Sequence, residues 1–349
     1  MAQRTRTRGV TLEDIAQRVG ITRAAASMAL SGSSRISEKT KQAVRDAAAE
    51  LGYVPNSAGR ALRRQRAGAI ALIVPNTSHH VFGHAYFMHV LTGVSSSANA
   101  HDAQVIVSTN ADEAGGANAY ERIIRSGTAD GVIVTSAAVD DANVETLVTS
   151  GLPVVLIGSF PYLPTATSIG ADDVAASTLV TEHLLTVHTR TALLHVSGPL
   201  DHQTGIDRRA GFLAALAGHG LGGDAWVVEG DMSEESGAAA IVAALDSGRP
   251  FDGVVFANDD MAFGGMQVLR ARGLGVPADV AVVGFDDFGL ARTTTPGITT
   301  IRVPAERMAR EATDTLFAVL AGQQAGPLHR ELPVELVTRG SCGCHVDTP

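Results

Sequence analysis

Two spacings of apolar residues divide this chain. In positions 11–52 they recur at helical intervals. Leu12, Ile15, Ala16 and Val19 fall at i, i+3, i+4 and i+7, opened by a capping box of Thr11 and Asp14 and stopped by Gly20. Thr22 is placed to cap a second helix over 23–30, with a narrow apolar face of Ala26, Ala29 and Leu30. Ser37 is placed to cap a third, which runs to Leu51 and ends at Gly52. After Gly68 the pattern changes to short apolar runs ahead of helical stretches. The runs at 69–74, 104–108, 131–135, 154–158, 192–196, 225–229, 253–257 and 280–285 predict buried parallel strands alternating with helices. They form two similar halves, about 68–165 and 166–298. A strand at 298–303, a helix at 305–321 and a strand at 332–338 then return to each half in turn. Two doubly wound lobes so connected enclose a cleft at the strand ends, where such sheets bind ligands.

Charge sharpens the division. The chain of 349 residues carries a net −9, but residues 1–66 hold thirteen basic side chains against five acidic ones, a net +8, and leave −17 for the remainder. A basic head on an acidic body implies an appended nucleic-acid module. Two short helices joined by a glycine-containing turn form a helix-turn-helix, whose second helix is slim enough to enter the major groove. That helix offers Arg23, Ala24 and Met28 for base edges, with Thr22 and Ser27 as small hydroxyls for phosphates.

The motifs Thr11-Leu-Glu-Asp-Ile-Ala, Gly20-Ile-Thr, Leu30-Ser-Gly, Arg35-Ile-Ser and Glu50-Leu-Gly-Tyr-Val-Pro-Asn56 resemble the head of the lactose/galactose repressor family of bacterial transcription regulators. The resemblance implies an α/β protein with a three-helix head (1–54), a hinge helix (55–66) and a two-lobed, periplasmic-binding-protein-like body (67–341). Lobe 1 would take 67–165 and 301–325, lobe 2 would take 166–298 and 328–341, and 342–349 would be a tail. It implies base reading by Arg23, Ala24 and Met28, and backbone contacts by Thr11, Thr22, Ser27, Ser37, Tyr53 and Asn56. Leu62 falls where the family wedges a hinge leucine between base steps in the minor groove. Three departures stand out. Ala25 and Ala26 replace the usual Thr and Val, and Met28 stands where Arg or His is common. Arginine there could pair bidentately with guanine, whereas Met offers only an apolar contact such as to a thymine methyl.

The resemblance continues through Ile73-Val-Pro-Asn-Thr-Ser78, Arg208-Arg-Ala-Gly-Phe212, Phe256-Ala-Asn-Asp-Asp-Met-Ala262 and Val283-Gly-Phe-Asp-Asp287. It implies a small effector held by Arg208, Asn258 and Asp286, with Asn76 and Phe82 opposite. A guanidinium, an amide and a carboxylate suit a polyhydroxylated ligand, a carbohydrate first, or a purine. Asp259 and Asp260 read instead as caps of the helix starting near Met261, and Asp172 as another cap. The loop after Asn76 lacks the family's proline, Gly158 replaces an acid common in relatives, and no aromatic platform for a sugar is evident.

No catalytic constellation stands out. There is no Gly-x-Ser-x-Gly, no phosphate-cradling Gly-x4-Gly-Lys-Ser/Thr loop and no lysine beyond Lys41, which excludes a lysine Schiff base in the body. The adjacent His79 and His80 lack further ligands at metal spacing. Cys342-Gly343-Cys344-His345 reads as an idle terminus, three metal-binding side chains in a loose tail without a fourth. No metal, cofactor or membrane partner is therefore expected. No window reaches eighteen consecutive apolar residues and the basic N-terminus precedes no apolar run, so a cytoplasmic location is expected. The expected protein is a homodimeric repressor of a pseudo-palindromic operator, controlled through the cleft, and not an enzyme.

Overall fold

The computed structural model describes residues 10–53, 67–111 and 118–344. Asn56, Leu62 and the rest of the expected hinge lie outside the described residues, as does His345. The side chains of His79 and His80 are likewise not described. Residues up to Ala67 form one compact unit and those from Gly68 onward a second.

In the first unit, α1 spans Leu12–Val19, α2 Arg23–Leu30 and α3 Glu38–Leu51. Each begins at the hydroxyl the sequence marks for it. Thr11 accepts from the Asp14 amide in a reciprocal capping box, Thr22 from the Ala25 amide and Ser37 from the Thr40 amide. Gly20 and Gly52 end α1 and α3 in the left-handed conformation that suits glycine. The helices close on one small core of Ile15, Ala16, Ala26, Ala29, Val44 and Ala47. Alanines at 26 and 29 let α2 sit close to its neighbours, so its remaining sides stay available.

The second unit holds two parallel sheets. The strands β1 Ala69–Thr77, β2 Gln104–Asn110, β3 Gly131–Thr135, β4 Val154–Ile157 and β5 Thr167–Gly170 lie in one sheet with β11 His329–Glu331, in the order β11-β5-β4-β3-β1-β2. The strands β6 Leu193–Ser197, β7 Trp226–Glu229, β8 Gly253–Phe256 and β9 Ala281–Val283 form the other, in the order β7-β6-β8-β9. A short antiparallel pair, β10 Thr300–Arg302 with β12 Glu335–Val337, adjoins the second sheet. The expected strands are present at nearly the expected places, but no apolar run predicts β5 or β11. Thr167–Gly170 is too short and mixed to announce a strand, yet it pairs with β4 and receives β11. The first lobe therefore runs through Gly170 and also takes 329–331, against the 165/166 division and the placing of 328–341 wholly in lobe 2.

Helix pairs cover the sheets. Helix Ala85–Ala100 lies against Ala305–Leu320 on the first lobe, and Asp173–Glu182 against Gln203–Gly218 on the second. Each pair touches at a glycine. A Cβ on Gly93 would collide with the Glu306 carbonyl oxygen, and one on Gly211 with that of Val174. Three crossings join the lobes, after Gly170, after Arg302 and after Glu331, so the connections and the strand ends frame a cleft between them.

Candidate functional site: the helix-turn-helix face and the cleft of the body

On the head, Thr22, Arg23 and Ala24 are exposed at the start of α2, and Ser27 and Met28 are half-buried one turn further on. Thr22 spends its side-chain oxygen on its own helix end, with Oγ1 3.1 Å from the Ala25 nitrogen. Ser37 does the same at α3, at 3.2 Å from the Thr40 nitrogen. Such capped N-termini leave amides and a partial positive charge directed outward, which suits a phosphate. Thr11 is held by Asp14, and Tyr53 packs on the head core.

In the body, a cavity of about 170 Å³ opens between the lobes. Asn76, Arg208, Asn258 and Asp286, drawn from four separate stretches of sequence, all line it. Phe82 does not. The segment after β1 coils into a short helix, Ser78–Gly83, that leaves Phe82 59% exposed outside the cleft. The aromatic surface comes from Tyr86, Phe160 and Phe288 instead, which supplies the platform that the sequence did not reveal. Phe288 stacks on His89 with centroids 4.7 Å apart, and the Tyr86 hydroxyl is anchored 2.9 Å from Thr135 Oγ1.

The polar centre is built around Arg208 on the buried side of Gln203–Gly218. Its Nε donates to Asp173 at 3.1 Å, and its Nη1 to the Ala257 carbonyl at 2.5 Å and to Asp286 at 3.3 Å. The guanidinium lies 3.7 Å over the Phe285 ring. Burial would pull Arg208 down, but Asp173 and Asp286 outweigh it and hold the cation above its ordinary value. Burial raises Asp173, with Arg208 opposing. Asp286 is pushed up to about 7 by burial, opposed by Arg208 and reinforced by Asp173 and Asp260. Its backbone sits at φ 113°, a strained conformation for a residue with a Cβ, as is common at ligand sites.

Asn258, not the two aspartates after it, caps its helix. Its Oδ1 accepts from the Met261 amide at 2.9 Å and its Nδ2 donates to the Met232 carbonyl at 2.8 Å. Asp259 is buried and accepts from the Asp287 amide at 2.8 Å, while Asp260 reaches the cleft and faces His84 at 3.4 Å. Asp172 caps as expected, whereas its neighbour Asp173 becomes the principal partner of Arg208. A doubled acid at a helix start was the available signal, since successive residues there face different sides. Asp287 is structural. Its buried carboxylate takes Arg302 at 2.8 Å and Arg339 at 2.7 Å, pinning the returning chain.

The reading of residues 342–344 as a loose tail does not hold. Gly340–Cys342 forms a turn packed on the second lobe, with Ser341 and Cys342 buried. Cys342 and Cys344 stand beside His183 and His188, so the further ligand missing from the local sequence is supplied from more than 150 residues away, which removes the grounds for expecting no metal.

Comparisons with known proteins agree with this architecture. Residues 11–56 match the model of the bacterial regulatory proteins of the lacI family, and residues 181–342 that of a periplasmic binding protein-like domain. The chain is 32% identical to the HTH-type transcriptional regulator CelR of Thermobifida fusca, over 96% of this chain and 99% of that protein. It is 31% identical to the HTH-type transcriptional regulator GalR of Salmonella typhimurium, over 97% of each. Among solved structures, a lac repressor dimer bound to operator and the anti-inducer ONPF superposes with a TM-score of 0.85 at 26% identity, covering 96% of this chain and 99% of that one. A CelR–cellobiose complex superposes with a TM-score of 0.72 at 29% identity, covering 95% and 99%. No helix among the described residues is long and apolar enough to cross a membrane. The chain belongs to the lacI family of bacterial regulatory proteins and is a helix-turn-helix regulator of transcription, not an enzyme.

Proposed function

We propose that this regulator is a repressor that binds a pseudo-palindromic operator as a homodimer and releases or grips it according to a neutral, hydroxyl-rich ligand in the cleft. One three-helix head reads only a half-site, so two heads are needed for a specific operator. The observation that carries the ligand class is the composition of the cleft. Asp173, Asp231, Asp260 and Asp286 line it against Arg208 alone among lysines and arginines of the described residues. Carboxylates accept from pairs of hydroxyls and repel phosphates and acids, while Tyr86 and Phe288 offer faces to the apolar side of a sugar ring. The cellobiose held by the CelR relative supports a carbohydrate, a disaccharide included, ahead of a purine. Acting on DNA, the protein would work in the cytoplasm.

The effector holds Arg208 and Asp286 from the second lobe and Asn76 from the first, so it favours one lobe arrangement over another. That difference in affinity is what shifts DNA binding. In the reading carried by the family resemblance, Leu62 then wedges the hinge into the minor groove. The test is a mobility-shift assay on the protein's own upstream DNA and on a random duplex across a salt series, repeated with neutral mono- and disaccharides and with purines. Preference for the upstream DNA that one sugar abolishes or strengthens supports the proposal. Equal binding to both duplexes, or a response to purines alone, refutes it. Leu62→Ala should weaken operator binding and spare random DNA.

A further inference from the structure

Outside the cleft, the second lobe brings together the side chains best suited to a soft divalent metal. His183 begins, and His188 follows, a π-helical turn, His183–Val187, that continues helix Asp173–Glu182. Residues five apart lie on different sides of an α-helix, whereas the wider i→i+5 turn brings them over one another. Both Nε2 atoms thereby face the same point, 3.2 Å from each other. From the far end of the chain, the turn Gly340–Cys342 delivers Cys342 Sγ to 3.4 Å from His183 Nε2. Cys344 Sγ stands 3.5 Å from both histidine nitrogens. All four ligand atoms lie within 4.8 Å of one another.

Four of the six edges match those of a tetrahedral zinc site, and the two that involve Cys342 Sγ with His188 and with Cys344 are no longer than 4.8 Å. With Zn–S of about 2.3 Å and Zn–N of about 2.0–2.1 Å, tetrahedral angles put two nitrogens about 3.3 Å apart and a nitrogen and a sulfur about 3.6 Å apart. A hydrogen-bond network explains the cluster poorly. A neutral imidazole Nε2 carries one proton or one lone pair, so His183 Nε2 cannot satisfy three neighbours, His188, Cys342 and Cys344, at once. The surroundings are shaped for the site as well. Gly343, at φ 108°, lets the chain turn between the two cysteines, and a Cβ there would press on the His188 ring at 3.2 Å. Thr299 Oγ1, 3.0 Å from Cys342 Sγ, can donate to a thiolate, as outer-shell groups of metal sites do.

We propose that His183, His188, Cys342 and Cys344 form a structural Zn²⁺ site that clips the C-terminal turn to the second lobe. The donor set of two thiolates and two imidazoles with no open position is that of a closed structural zinc centre. The site shares no residue with the cleft and stands independently of what the cleft binds.

The test is metal content and spectroscopy on full-length protein carrying no histidine tag, purified under reducing conditions. Elemental analysis should find one zinc per chain in the wild type and less than a tenth of that in Cys344→Ser and in His188→Ala. Cys344 is only half-buried, so its replacement should leave the circular dichroism of the fold intact. Exchange of zinc for Co²⁺ in the wild type should give the intense visible bands of tetrahedral cobalt and a thiolate charge-transfer band, both absent in Cys344→Ser. Chelation should lower the thermal midpoint read by Trp226 in the wild type and leave that of Cys344→Ser unchanged. Wild type that takes up neither metal, that binds cobalt without thiolate bands, or that isolates with a Cys342–Cys344 disulfide under reducing conditions overturns the proposal.

Discussion

Asp286→Asn separates what the cleft costs from what it does. In the folded protein the Asp286 carboxyl titrates at about 7, against 3.8 for an ordinary aspartate, chiefly because it is buried, with Arg208 only partly compensating. Between those two values the native state keeps a proton that the unfolded chain has released. Wild-type stability therefore loses about 1.4 kcal/mol per pH unit from this group as pH rises from about 4 to about 7, and flattens above. The full contribution is about 4 kcal/mol. It is a ceiling, because 15% of the side chain still reaches solvent. Asparagine keeps the shape and cannot ionise. The variant should match the wild type near pH 4 and exceed its stability by a few kcal/mol at pH 8, while losing its response to the effector. Trp226, the single tryptophan, sits in β7 against Phe251, so urea titrations followed by its emission report the second lobe without interference from the head. They should be run at one protein concentration from pH 4 to 8. A stability difference that does not change with pH, or a variant less stable than wild type at pH 8, would refute the account of Asp286 as a carboxylate held at a cost for ligand binding.

Other changes probe the remaining links. Arg208→Met strands Asp173 and Asp286 without their cation, and should cost about 3–5 kcal/mol at pH 8 and clearly less at pH 5, where the carboxyls can take protons, in the same urea assay. Gly211→Ala drives a methyl into the Val174 carbonyl and to within 2.8 Å of Ser177 Cβ, so the helix pair must part; a loss of about 2–3 kcal/mol is expected by thermal denaturation. Met28→Arg should move the preferred operator base toward guanine at one position per half-site, with about 1–3 kcal/mol of new discrimination in selection from randomised DNA. Phe82→Ser, on the exposed side of its helix, should leave effector affinity within twofold by calorimetry.

The head was legible almost residue by residue because its determinants are local. A capping hydroxyl, a glycine stop and apolar positions one helical turn apart act within a few residues, and α2 runs from Arg23 to Leu30 as the pattern requires. The buried strands were legible for a similar reason, since unbroken runs such as Gly131–Thr135 have no other way to bury both faces. Thr167–Gly170 was not. Nothing within four mixed residues specifies a strand, and it becomes one because β4 and β11 offer it hydrogen-bond partners on either side. In the cleft, Arg208 and Asp286 could be named from motifs. Tyr86, Phe288 and Asp173 could not, because which face of a helix or turn meets the opposite lobe depends on how the lobes are packed.

What the sequence alone determined, then, is whatever short-range physics controls: the helices and their ends, the strand-forming runs, the basic head on an acidic body, and the residue types available for contact with DNA and ligand. Tertiary structure decided everything that depends on meeting at a distance. It made Asp260 a cleft residue, and it turned Phe82 out to solvent. It also raised Asp286 by taking away its water. It gathered His183 and His188 with Cys342 and Cys344, separated by more than 150 residues, around a single point. The physical reason is that chain connectivity constrains only near neighbours. Distant groups are brought together by burial of the whole core, and no local pattern carries that information.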